Sequence, residues 1–80
     1  MVKLRNIERH ENNVTCDAYL ESCSVPVKLV YDIKKRTFEE FDYPKGFDYC
    51  TEHICMVKWF IEDTLKANAL FPTDKTIMWY

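Results

Sequence analysis

Residues 48–68 read DYCTEHICMVKWFIEDTLKAN, a run without a single Gly or Pro. At about 100° per residue, Phe47, Cys50, Ile54, Val57, Ile61 and Leu65 fall on one stripe, the pattern of an amphipathic helix facing a core. Asp48 reads as the N-cap, its carboxylate free to accept from the first unpaired amides. Lys66 complements the negative end of the helix dipole. Asn68 and then Pro72 supply the stop.

The chain before this run has a different period. Val14, Cys16, Ala18 and Leu20 share one face of an extended segment, with Thr15, Asp17, Tyr19 and Glu21 on the other. Val25, Val27, Leu29, Tyr31 and Ile33 repeat the alternation, and Pro26 sits near the start, where a missing amide donor is tolerated. Val2 and Leu4 begin a third such segment, but Ile7 breaks the phase and implies a bulge or an early end. Thr37 to Tyr43 reads as a fourth, shorter strand with poorer alternation, since Phe38 and Phe41 have opposite parity. Glu11-Asn12-Asn13, Ser22-Cys23-Ser24 and Lys34-Lys35-Arg36 separate the segments, and Pro44-Lys45-Gly46 ends the last. One-sided alternation with short connections predicts an antiparallel sheet with one face covered.

The expected fold class is therefore α+β: a four-stranded antiparallel β-meander with one C-terminal α-helix packed on one face, in a single domain over 1–80. Thr76-Ile77-Met78-Trp79-Tyr80 is too apolar for a free tail. It suits a short fifth strand at a sheet edge, or packing across the helix.

Eighty residues lie near the lower limit for a self-sufficient core, so added burial against a partner would help. With 48% hydrophobic and 30% charged residues, the composition is not that of a disordered chain. No apolar run approaches the roughly 18 residues a membrane helix needs. The opening MVKLRNIERH lacks a hydrophobic signal core, so a cytoplasmic location and no membrane partner are expected. Net charge is −2, with acids and bases interspersed. The one basic run, Lys34-Lys35-Arg36, is followed by Glu39, Glu40 and Asp42 and reads as a solvated turn. No nucleic-acid partner is expected. A single glycine, Gly46, cannot build a phosphate-binding loop.

The helix is wider in apolar character than one core requires. Beyond the stripe, His53, Phe60, Tyr49, Ala67 and Met56 continue around one side, while Lys58, Glu62, Lys66, Glu52 and Asp63 occupy the other with Trp59 among them. An exposed shoulder of this kind fits a second copy or another protein. Met56, Trp59, Phe60, Trp79 and Tyr80 are the interface candidates, because large aromatic side chains dominate contact energetics. The function expected on this reading is protein–protein interaction, including self-association as a homo-oligomer.

Two chemical alternatives centre on Cys50, His53 and Cys55. Cys50 and His53 are one turn and about 60° apart and can converge, whereas Cys55 points about 140° away. A thiol-dependent enzyme or redox protein would use Cys50 in the first turn, where amide dipoles favour the thiolate, with His53 as base; these are the catalytic candidates. A small zinc-stabilised domain would need further ligands from Cys16, Cys23 or His10, which no spacing directs to one point. No metal site and no cofactor is therefore assigned. With no sign of an oxidising compartment, the four cysteines are expected as free thiols.

Overall fold

In the computed structural model, which describes residues 1–78, five strands form one sheet and a single helix lies on one face of it. The strands are β1 (Val2–Arg9), β2 (Asn13–Leu20), β3 (Val27–Asp32), β4 (Thr37–Phe38) and β5 (Lys75–Ile77), and the helix α1 spans Thr51–Lys66. The order across the sheet is β4-β3-β2-β1-β5, every pair antiparallel. The α+β meander with one covered face is thus the architecture of the chain. At the C-terminal end, Lys75–Ile77 forms a short edge strand beside β1, the first of the two roles expected for that segment.

The alternation read from the sequence becomes the core. Val2 and Leu4 from β1, Val14, Cys16, Ala18 and Leu20 from β2, and Val27, Leu29 and Tyr31 from β3 are all buried. They meet Cys50, His53, Ile54, Val57 and Ile61 from the other side. Ile7 is buried as well, and a bulge makes this possible. The pairing of β1 with β2 slips between Arg5 and Glu8, and Asn6 takes φ 54°, a left-handed conformation that asparagine tolerates better than most residues. The extra residue returns Ile7 to the face of Leu4, despite the odd spacing.

Three boundaries differ from expectation. Asp48 is not the N-cap. Two successive turns, closed by Phe47 N–H to the Pro44 carbonyl and Cys50 N–H to the Phe47 carbonyl, carry the chain to Cys50, and the helix begins at Thr51. Cys50 occupies the cap position without a side-chain bond to the helix amides. Second, β4 contains only two residues. The conflicting parity of Phe38 and Phe41 is resolved by leaving the ladder, and Phe38, Phe41 and Tyr43 pack edge-on in a row extending from Tyr31. Third, Val25 lies before β3 and is exposed.

The far end of α1 stops as its residues dictate. Asn68 adopts φ 54°, its N–H bonds the Leu65 carbonyl, and the Ala69 N–H bonds that of Thr64. This is a Schellman ending with asparagine in the place usually held by glycine. No helix among the described residues is long and apolar enough to cross a membrane.

Candidate functional site

The β2–β3 connection delivers a carboxylate to the start of the helix. Glu21 follows β2 directly with φ 50°, and its N–H bonds the Met1 carbonyl. Its Oε1 accepts from the Met1 α-ammonium at 2.9 Å and pairs with Nε2 of His53, which is buried. These contacts pull the Glu21 carboxyl below the ordinary glutamate range, with the His53 hydrogen bond the largest cause and the ammonium next. The charged form of the acid is therefore the one built into the fold.

Cys50 lies beside this group, and its sulfur-bearing side chain is fully buried. Burial pushes its thiol pKa above the ordinary value, and the Glu21 charge adds to the rise; Tyr49 and the Met1 ammonium pull the other way. An activated nucleophile needs the opposite shift and an open approach. His53, meanwhile, is held by Glu21. Cys50 and His53 thus share the first turn of the helix, joined by the backbone bond from His53 N–H to the Cys50 carbonyl, with the thiol buried and the imidazole on Glu21. Glu21 was not identifiable as the third member, because its approach depends on a loop 32 residues away.

Cys55 is exposed, consistent with its angle on the helix, and Cys16 is enclosed in the middle of β2. Among the described residues, no three His, Cys, Asp or Glu side chains are grouped to hold a metal ion. All four cysteines are free.

The interface candidates on α1 span the shoulder of the helix from half-buried Phe60 through Met56 to outward-facing Trp59. Met56 is three residues before Trp59 and four before Phe60, so the three side chains are neighbours on the helix surface. Trp59 keeps 56% of its surface in solvent, whereas Met56 and Phe60 are half-buried. The aromatic row from Tyr31 does not cover this flank. Tyr31 bonds Glu62, which projects about 160° around the helix from Phe60. Phe71 covers part of Phe60 instead, edge-on at 6.1 Å, and the Lys75 ammonium lies 5.9 Å from the same ring. The flank thus borders β5, whose outer edge has no strand partner among the described residues. Trp79 and Tyr80 lie outside the described residues.

No family model, curated protein or solved structure matches this chain.

Proposed function

We propose that this protein is a small interaction module that associates with a second copy of itself through the flank formed by α1 and β5. The observation that carries the reading is Trp59, more than half exposed and one turn from Met56, beside Phe60, whose ring meets Phe71 and Lys75 at the open sheet edge. Large aromatic side chains supply most of the energy at contact centres. A strand edge offers unpaired backbone groups to a partner.

Two further features support it. The accessible surface is 5556 Å², against about 5,100 Å² for a monomer of this mass. Leu70, which follows the helix on the way to β5, is 96% exposed. A two-fold arrangement would place the same flank on both partners, the isologous contact usual for dimers. The cytoplasmic setting belongs to the same reading, because four free thiols persist where the medium is reducing.

The test is sedimentation across a concentration series for the wild type and for Trp59→Glu. The wild type should reach twice its 9.6 kDa mass, and the variant should stay monomeric with an unchanged circular dichroism spectrum. A wild type that remains monomeric up to about 0.5 mM would refute self-association, since that excludes any contact tighter than about 4 kcal/mol.

A further inference from the structure

The sheet face away from α1 carries a second feature, built by the β1 bulge. Lys3 is the direct cross-strand partner of Tyr19, and Arg5 of Asp17; their neighbours Val2, Leu4, Ala18 and Leu20 face the core, so these four face outward. The segment leading into β5 rises beside them. Ile7 N–H bonds the Thr73 carbonyl at 2.8 Å, and Asn6 N–H reaches Asp74 Oδ1 at 3.4 Å. The result is a groove of about 570 Å³ lined by Lys3, Arg5, Tyr19, Ser22, Thr73 and Asp74, among others. That volume lies within the usual range of small-molecule sites.

Charge in this groove is unevenly committed. Asp17, opposite Arg5, accepts instead from the Asn6 side-chain amide at 2.9 Å. Among the described residues, Arg5 donates to the adjacent Leu4 carbonyl, at 3.3 Å. Neither Lys3 nor Arg5 is paired with a carboxylate among the described residues. Of the two acids at the rim, Glu21 is paired with the Met1 ammonium and His53, whereas Asp74 accepts a long bond from the Asn6 amide and keeps its charge. Lys3 and Arg5 thus lie without a carboxylate ion pair among the described residues, beside the half-buried Tyr19 ring and two hydroxyl groups.

We infer that this groove binds a small ring-bearing oxyanion, a carboxylate or phosphate head on a flat body. The guanidinium of Arg5 offers a fork that matches either head, and Lys3 adds a compact charge. Ser22 and Thr73 are hydroxyl donors within the same groove. The Tyr19 ring supplies a face for the flat body. The groove lies on the sheet face away from the helix, so it stands whether or not the chain self-associates.

The experiment is an amide-shift titration of the isotope-labelled protein with phenyl phosphate and with benzoate, using benzyl alcohol and inorganic phosphate as controls. At least one ring-bearing anion should produce saturable shifts at residues 3–6, 19–23 and 73–74, and the tighter of the two identifies the head. Each control should bind about tenfold more weakly or worse. The double variant Lys3→Gln/Arg5→Gln should lose about tenfold or more at an unchanged melting temperature, and Tyr19→Leu should weaken only the ring-bearing probes. Absence of saturable shifts up to about 10 mM, shifts centred elsewhere, or equal binding by the double variant would overturn the assignment.

Discussion

Replacing Tyr31 with Phe removes one oxygen atom and one tie between sheet and helix. The Tyr31 ring is fully buried, and its hydroxyl donates to Glu62 Oε2 at 2.6 Å, joining β3 to α1. In the variant the ring volume is kept, and the half-buried Glu62 can turn to water. The loss is therefore that of a hydrogen bond to a charged acceptor, about 1–2 kcal/mol. For a domain of this size that lowers the melting temperature by roughly 6–12 °C at neutral pH. A second signature appears in alkali. Burial first, then the Glu62 hydrogen bond, pushes the Tyr31 hydroxyl from 10.0 up to about 12. The folded state thus holds this proton more tightly than the unfolded chain does. Its contribution is complete below pH 10 and is lost as pH rises from 10 towards 12. A shift of two units corresponds to at most about 2.7 kcal/mol, and solvent near Glu62 reduces it to about 1–2 kcal/mol. Urea unfolding of both proteins from pH 8 to pH 11.5 measures each quantity. The wild type should fall towards Tyr31→Phe as pH rises, so that the two curves converge. Parallel curves, or a neutral-pH difference below about 0.3 kcal/mol, would refute the idea that this hydroxyl ties sheet to helix.

Three further outcomes follow from the same structure. Because the Glu21 carboxyl is held below its ordinary range, its contribution is present above the unfolded value and is lost as pH falls through the folded one. Acid titration monitored by circular dichroism should show a steeper loss for the wild type than for Glu21→Gln. With Ellman's reagent under native conditions, Cys55 should react first and Cys23 more slowly. Cys16, whose thiol is pushed up to about 12, and Cys50 should react only on unfolding; rapid native labelling of Cys50 would revive the thiol-enzyme reading. At Asn68, φ 54° makes alanine strained, so Asn68→Ala should cost about 1 kcal/mol in thermal unfolding while Asn68→Gly changes stability by only a few tenths.

Most of the architecture was legible because it rests on periodicity. The inward set on β2 and β3 and the stripe Ile54, Val57, Ile61 are the observed core, and the phase break at Ile7, compatible with a bulge or an early end, proves to be a bulge. Boundaries were less legible. Asp48 has the right chemistry for a cap, but the turns from Pro44 to Cys50 use up those residues before the helix begins. The fourth strand ends after Phe38, and Phe38 and Phe41, of opposite parity, pack edge-on outside a regular ladder. Site composition was least legible. Glu21 reaches His53 through a left-handed loop residue, and Lys3, Arg5 and Tyr19 share a groove wall with Thr73 and Asp74 only because the chain returns past β1 at its end. Neither meeting leaves a local pattern in sequence.

The pairing of β5 with β1 joins residues about 70 positions apart, Leu4 with Lys75 and Val2 with Ile77. Closing a loop of that length costs about 2.5 kcal/mol more than closing a four-residue turn. The reward is a ladder of three residues. The β1–β2–β3 meander, joined by short connections, has every kinetic advantage over it. Strand β5 should therefore be the last element to dock during folding and the first to exchange its amide protons. Each such opening bares the β1 edge and dismantles one wall of the oxyanion groove, so ligand capture and strand docking would be timed by a single local event.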